Sequence, residues 1–187
     1  MVVLLNGAFG VGKTTVARLL RRRLPSGLLF DPERIGYVLR RLPRWLPLDG
    51  LRRDDYQHCP MWRRLTVRGI RVGRLVRSNV VVPMAFSEVS YLREIRAGIA
   101  RFDEDIMHLC LVAPLEVVHQ RLRSRGEDPA SPGGAWAFRR ASECCEAHAA
   151  PEFAEQVPTA GRTPEAIVGD LLRRIGARQD TANTASP

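Results

Sequence analysis

The sequence predicts one α/β domain in which helices cover both faces of a parallel β-sheet. Two observations support this prediction. Short apolar runs alternate along the chain with segments of helical periodicity, and a glycine-rich turn joins the first run to the first helix. With 187 residues, the chain is long enough to bury one core. We expect this domain to span residues 1–177 and the polar segment 178–187 to be a disordered tail.

The glycine-rich turn carries the most specific motif in the chain. Gly7, Gly12, Lys13 and Thr14 fit the pattern G-x-x-x-x-G-K-[ST], between an apolar run and an amphipathic helix. This context indicates a P-loop, whose backbone N–H groups bind phosphate oxygens, rather than an ordinary glycine turn. We therefore expect ATP and Mg²⁺ as ligands, with Lys13 at the β- and γ-phosphates and Thr14 on the metal. The predicted nucleotide-binding residues of this loop are Gly7, Ala8, Phe9, Gly10, Val11, Gly12, Lys13, Thr14 and Thr15.

The composition supports a phosphate ligand. Lys13 is the only lysine among 29 basic residues, and a compact ammonium suits a phosphate-binding loop better than a planar guanidinium does. The formal net charge of +9 also favours an anionic ligand. However, the chain has no nucleic-acid-binding motif and its aromatic residues are scattered. We therefore expect a small phosphate-rich ligand and no nucleic acid.

The sequence also predicts where the protein resides. No apolar run is long enough to cross a bilayer, and the first residues show no signal-peptide pattern. The four cysteines lack the spacing of metal ligands. We expect a cytoplasmic protein without an integral membrane span.

The rest of the chain continues the alternation of strands and helices. Further apolar runs predict strands at 28–30, 79–84, 105–113 and 156–159. Helical periodicity predicts helices after Pro32 and at 60–77, 88–100, 114–125, 135–149 and 164–177. In a parallel sheet, ligands bind at the carboxyl ends of the strands. We therefore expect the site at the loops that follow Asn6, Phe30 and Val82.

Asp31 closes the second predicted strand, so we expect it beside the P-loop. A carboxylate there can accept a hydroxyl proton during phosphoryl transfer or help to hold Mg²⁺; alternatively, it only caps the helix that follows Pro32. The third strand ends near Met84 without an acid before Glu88. Either Asp31 supplies the missing carboxylate, or the metal depends on Thr14 and the nucleotide. We expect Met84 to shape the acceptor pocket.

Two arginines precede a glycine- and proline-rich loop. Arg121 and Arg125 are spaced i, i+4, so they share a helix face. They predict a lid at about 121–135, with guanidinium groups that stabilise the transferred phosphoryl; the alternative is an exposed basic helix end. After the last strand, Arg162 is a candidate for stacking on the adenine, with a plain turn as the alternative.

Five segments span the chain from its start to the predicted lid: NGAFGVGKT (6–14), FDPERIGYVLR (30–40), DDYQHCPMWR (54–63), VVVPM (80–84) and LRSR (122–125). In the third segment, Trp62 suits either the core or a stacking face in a pocket, and Gln57 suits a hydrogen bond to an amide or a base. Together these segments resemble the tunicamycin-resistance protein (TmrB-like) family of P-loop proteins, which is related to small-molecule and nucleotide kinases.

The resemblance implies a nucleoside-monophosphate-kinase-like fold, a doubly wound five-stranded parallel sheet of order 2-3-1-4-5 with a lid. It also implies ATP binding at Gly7–Thr14 and a pocket for the uracil-containing antibiotic tunicamycin or another uridine-containing compound. The implied pocket residues are Asp31, Arg34, Gln57, Trp62 and Arg63. Three hypotheses follow: a kinase acting on a nucleoside-like small molecule, a protein that sequesters the drug, and a nucleotide kinase. The family has been linked to membranes through a C-terminal amphipathic segment, but packing on the sheet explains the apolar face around Leu171 here.

Overall fold

The computed structural model describes the backbone of residues 1–41 and 55–184 and the side chains of these ranges up to residue 178. The described strands are β1 (Val2–Gly7), β2 (Gly27–Leu29), β3 (Asn79–Pro83), β4 (Ile106–Val112) and β5 (Glu155–Pro158). The described α-helices are α1 (Lys13–Arg23), α2 (Glu33–Arg40), α3 (Pro60–Val76), α4 (Val89–Ala100), α5 (Leu115–Ser124), α6 (Pro132–Ala147) and α7 (Pro164–Thr184). Short 3₁₀ turns lie at Tyr56–His58 and Pro151–Phe153.

The strands form one parallel sheet of order β2-β3-β1-β4-β5, which confirms the predicted fold class and strand order. β1 is central, with Val2 opposite Val80 of β3 and opposite Ile106 of β4. Every residue of β1 is buried, because helices cover both faces of the sheet. This explains why its sequence is a continuous apolar run rather than an alternating one.

The sheet separates two apolar cores. On one face, Val3 and Leu5 of β1 pack with residues of α1 and α7, including Leu20 and Leu171. On the other face lie Val2 and Leu4 of β1, in a core that α3 and α4 complete. The apolar face of α7 is thus used in packing, as the sequence suggested. No helix within 1–41 and 55–184 is both long enough and apolar enough to cross a membrane.

Two helix boundaries differ from the prediction by three residues or more. α6 begins at Pro132 instead of 135, because the Ser131 hydroxyl accepts a hydrogen bond from Gly134 N at 3.1 Å and proline suits the first turn. α7 continues to Thr184, so residues 178–184 are helical where we predicted disorder. The rest of the predicted tail, 185–187, lies outside the described residues, as does Asp54 of the 54–63 segment.

Gly27 allows the chain to turn closely from α1 into β2. A Cβ atom there would lie 2.2 Å from the carbonyl oxygen of Arg21 and 3.1 Å from that of Leu24. Both neighbours are backbone atoms, so they cannot move aside without shifting the end of α1. By contrast, a Cβ on Gly176 of α7 meets no described atom within 4 Å.

We expect Gly27→Ala to lower the free energy of unfolding by about 1–3 kcal/mol, the usual cost of an overpacked site. The matched variant Gly176→Ala should raise it by about 0.5–1 kcal/mol, because alanine restricts the unfolded chain and suits a helix. Urea denaturation measures both values. A Gly27→Ala protein as stable as the wild type would contradict the close approach of α1 and β2.

Candidate active site

The P-loop joins β1 to α1 in the geometry that phosphate binding requires. A Cβ on Gly7 would lie 2.8 Å from Cγ1 of Val11, so the loop folds tightly there. Gly12 has φ of +107°, and a Cβ on it would meet no described atom within 4 Å. The loop is therefore open above Gly12. Because α1 begins at the next residue, the partial positive charge of its N-terminus faces this space, which fits the phosphates of a nucleotide.

Lys13 is held within the loop. Its side chain is only 8% exposed, and its Nζ donates a hydrogen bond to the carbonyl oxygen of Ala8 at 2.8 Å. The Nζ also lies 5.3 Å from the centroid of the Phe9 ring. Burial lowers the pKa of Lys13, and the nearby Glu33 carboxylate opposes that shift. The adjacent Thr14 side chain is exposed at the first turn of α1, so its hydroxyl is accessible as predicted.

Two carboxylates lie after β2. Asp31 Oδ1 accepts a hydrogen bond from Glu33 N, the first N–H of α2, at 3.0 Å, while Pro32 occupies the N-cap position. Within the described ranges, no other group donates to this carboxylate. Burial raises the pKa of Glu33, and Lys13 opposes this shift. The charges of Glu33 and Lys13 thus stabilise each other. Sequence reasoning treated Glu33 only as a first-turn acid, although its Asp-x-Glu spacing after a strand was a signal.

The loop after β3 is fixed beside the P-loop by buried hydrogen bonds. The fully buried Asn6 accepts from Phe86 N at 2.9 Å and donates to Phe86 O at 3.4 Å. His148 Nε2 lies 2.6 Å from the same carbonyl oxygen, so this nitrogen carries a proton. Gln57 Nε2 donates to Ala85 O at 3.1 Å. The sequence analysis predicted no role for Asn6 or His148, because their partners are distant in sequence.

Three of the residues that we predicted to line the acceptor pocket are instead buried below the carboxyl ends of the strands. Trp62 is 2% exposed and donates from Nε1 to Pro32 O at 3.0 Å, so it takes the core alternative. Arg63 donates to Glu94 Oε2 at 2.6 Å and to Gln57 O at 2.7 Å. Met84 is buried in the same core as Trp62. These side chains support the site, whereas Arg34 is exposed on α2.

Arg121 connects the P-loop to the loop after β5. Its guanidinium donates to Val11 O at 3.0 Å, to Thr159 Oγ1 at 2.9 Å and to Thr159 O at 2.9 Å. These bonds anchor Arg121, in contrast to the prediction that it swings over a phosphoryl group. Beside it lies a cavity of about 280 Å³, to which Gly12, Arg125 and Arg162 also contribute. This is where we predicted the adenine; Arg162 itself is paired with Asp170 at 3.2 Å.

Helix α6 closes over the same edge of the sheet. Arg140, only 9% exposed, lies 3.2 Å from an oxygen of Asp55 and donates to Glu143 at 2.6 Å and to Ser87 at 3.2 Å. Trp136 contacts the Phe9 ring edge to face, with 5.1 Å between centroids. Sequence reasoning missed Arg140, although it falls at a core position of the helical periodicity.

Solved structures resemble this chain over nearly its whole length. The tunicamycin resistance protein of Deinococcus radiodurans matches with a TM-score of 0.72 and 28% identity, over 94% of this chain and 95% of that one. A gluconokinase from Sinorhizobium meliloti matches with 0.65 and 16% identity, over 99% and 97%. A shikimate kinase from Acinetobacter baumannii matches with 0.59 and 14% identity, over 95% and 93%. The chain has the nucleoside-monophosphate-kinase-like P-loop fold. No protein-family model and no curated protein matches it.

The likeness places the site in a kinase fold, since the gluconokinase and the shikimate kinase share it at low identity. Lys13 follows β1, and Asp31 and Glu33 follow β2, so all three lie at the carboxyl ends of the strands, whereas Gln57, Trp62 and Arg63 are buried. The P-loop and the two carboxylates thus follow strands that β3 separates. This arrangement can bind a nucleotide and place a base near its phosphates.

Two buried histidines make stability depend on pH. Burial lowers the pKa of His148 to about 4 and that of His108 to about 4, from 6.5; neither ring nitrogen of His108 has a described hydrogen-bonding partner. Below pH 6.5 the unfolded chain therefore binds protons that the folded chain excludes. The free energy of unfolding should fall as the pH decreases from 6.5 to 4, because the folded state favours the neutral rings.

We expect His148→Gln and His108→Gln each to reduce the slope of the free energy of unfolding against pH by at most about 1.4 kcal/mol per pH unit, and by about 1 kcal/mol per pH unit on average between pH 4.5 and 6.5. Urea denaturation at several values between pH 4.5 and 6.5 measures this slope. The slope separates titration from any uniform loss of packing, which shifts all values equally. An unchanged slope in both variants would contradict the assignment.

Proposed function

We propose that this protein is an ATP-dependent kinase that phosphorylates a hydroxyl group of a small nucleoside-like molecule, with tunicamycin as the candidate acceptor. The observation that carries the proposal is the Asp31 carboxylate at the end of β2, on the strand edge that also presents Lys13. The likeness to the tunicamycin resistance protein, at 28% identity, supports the choice of acceptor.

The P-loop residues would hold the phosphoryl donor. Backbone N–H groups between Gly7 and Thr15 would bind phosphate oxygens, and Lys13 would exchange the carbonyl of Ala8 for a phosphate oxygen. Arg125 lines the cavity beside Gly12 and would neutralise charge that develops during transfer. The predicted lid at 121–135 remains part of this proposal. The contact between Phe9 and Trp136 joins α6, which begins within that segment, to the P-loop.

Mg²⁺, when bound with the nucleotide, would neutralise phosphate charge and fix the phosphate geometry. The Thr14 hydroxyl is the protein ligand that we assign to it. Within the described residues, no group of three or more His, Cys, Asp or Glu side chains could hold a metal on its own. The nucleotide would therefore supply most of the other ligands.

Asp31 would act as the general base. Its Oδ1 is oriented by the hydrogen bond from Glu33 N, so the carboxylate has a fixed direction at the strand end. It would orient the acceptor hydroxyl and accept its proton as the oxygen bonds to phosphorus. Glu33 would balance the positive charge of the buried Lys13, since each opposes the shift that burial causes in the pKa of the other.

A second candidate function is sequestration of the drug without turnover. Two observations favour it: the name of the Deinococcus protein specifies resistance and no transfer reaction, and Asp31 already has a structural role as a cap. A nucleotide kinase is the third candidate, because the fold also suits that reaction. Each of the three predicts a different outcome with the same purified protein.

The first experiment incubates the wild-type protein with ATP, Mg²⁺ and tunicamycin, followed by mass spectrometry. A phosphorylated product is expected from the kinase. Saturable tunicamycin binding without product would instead support sequestration. ADP formation with UMP or CMP, measured in a coupled assay, would support a nucleotide kinase.

We expect Asp31→Asn to lower kcat at least about 100-fold, which is typical of losing a general base, while affinities for ATP and acceptor stay within a few-fold. Asparagine keeps an oxygen that can accept from Glu33 N, so the variant removes charge and preserves the cap. Asp105→Asn, an exposed acid before β4 at the opposite edge of the sheet, is the control for charge and should retain activity. Full turnover by Asp31→Asn would rule out its role as base.

A further inference from the structure

A groove separate from the candidate active site lies between α3 and α4. Its volume is about 420 Å³, within the range of small-molecule pockets. It shares no lining residue with the cavity beside the P-loop. Its polar residues are Arg63, Arg64, Arg68, Glu94 and Arg101, and its apolar residues are Val67, Ile95, Ala97 and Gly98.

The charges of this α3–α4 groove are unbalanced. Four arginines and one glutamate line it, which gives a net charge of +3. The only acid, Glu94, is bonded to Arg63 at 2.6 Å. Within the described ranges, Arg64, Arg68 and Arg101 have no carboxylate partner and no hydrogen-bond acceptor.

Several half-buried arginines elsewhere in the described ranges are paired, whereas Arg64, Arg68 and Arg101 of the groove are exposed. Arg74 bonds Asp103, Arg162 and Arg174 bond Asp170, and Arg140 lies against Asp55. The sequence analysis left the basic stripe on α3 open between a solvated face and an anion site. In the groove, Arg64 and Arg68 are spaced i, i+4, so their like charges repel each other. A bound anion would remove that repulsion.

The two helices approach closely at the floor of the groove, where the lining residues are apolar. A Cβ on Gly98 of α4 would lie 2.9 Å from Cγ2 of Val67 on α3. Arg64, Arg68 and Arg101 are thus exposed residues that line a groove with an apolar floor. An amphiphilic anion fits such a site, with its charge at the guanidinium groups and its apolar part against the floor.

We propose that the α3–α4 groove binds a small phosphate ester. Guanidinium groups match phosphate oxygens in geometry and form charge-assisted hydrogen bonds with them, and a dianionic phosphate would offset two of the three unpaired charges. The site is connected to the candidate active site, because Arg63 in its wall donates to Gln57 O, and Gln57 donates to Ala85 O. A ligand that binds Arg63 in the groove would therefore contact the first of the residues whose hydrogen bonds hold the loop after β3.

The experiment uses the full chain and phenyl phosphate, with isothermal titration calorimetry at constant ionic strength. All variants carry Lys13→Ala, so that the P-loop contributes little to phosphate binding. Arg64→Gln/Arg68→Gln should raise the Kd at least ten-fold, and Arg101→Gln alone should also raise it. The matched control Arg18→Gln/Arg22→Gln removes two exposed charges at the same spacing on α1, and its Kd should stay within two-fold.

Three outcomes would overturn the proposal. An equal rise of the Kd in the α1 control would show that phenyl phosphate responds to the overall charge of the protein and not to the groove. Loss of phenyl phosphate binding with Lys13→Ala alone would place the ligand on the P-loop. Equal affinities for phenyl phosphate and inorganic phosphate would remove the role of the apolar floor. Circular dichroism checks that each variant is folded, and Arg101→Gln tests the groove from α4 if the double variant on α3 fails to fold.

Discussion

The candidate site depends on one buried side chain, Asn6. A fully buried amide must find partners, since leaving it unbonded costs about 1–3 kcal/mol. Asn6 meets this need by bonding both the N–H and the carbonyl of Phe86, much as a neighbouring strand would. It therefore continues the β1–β3 pairing beyond the last strand residues, at the point where the P-loop begins. His148 adds a third element by approaching the same carbonyl from the end of α6.

At this edge of the sheet, the charged side chains of the site are buried to different extents and are stabilised in different ways. Lys13 is the only lysine in a chain rich in arginine, and it is almost enclosed. Its charge is tolerated because Ala8 O accepts from it and Glu33 is near. Asp31 is oriented by backbone bonding instead of by a cation. The Lys13 ammonium and the Asp31 carboxylate are thus held by different hydrogen-bonding partners.

The sequence was informative where function depends on local pattern. The P-loop, the buried strands and Asp31 were predictable, because spacing and element ends determine them, and the strand order came from the resemblance. Asn6, Arg140 and His148 were not, because their bonds to the loop after β3 and to each other's elements join residues 53 to 142 positions apart. Trp62 shows that residue type and spacing alone do not determine where a side chain lies. Its spacing suited both the core and a pocket, and its packing against Tyr56 and Phe86 places it in the core. The start of α6 also has a local signal, because Ser131 followed by Pro132 is a typical helix start.

The single lysine has a practical consequence. A protease that cleaves only after lysine has one cleavage site in these 187 residues, and that bond lies in the first turn of α1, directly behind the phosphate-binding loop. Cleavage requires this turn to open, since proteases cut extended backbone. The rate at which the two fragments appear would then measure how readily this turn opens, because no other peptide bond of the chain can be cleaved. An amine-reactive reagent would have a similarly restricted choice, between Lys13 and the chain terminus, so that one residue serves as an internal probe of whether the loop is occupied.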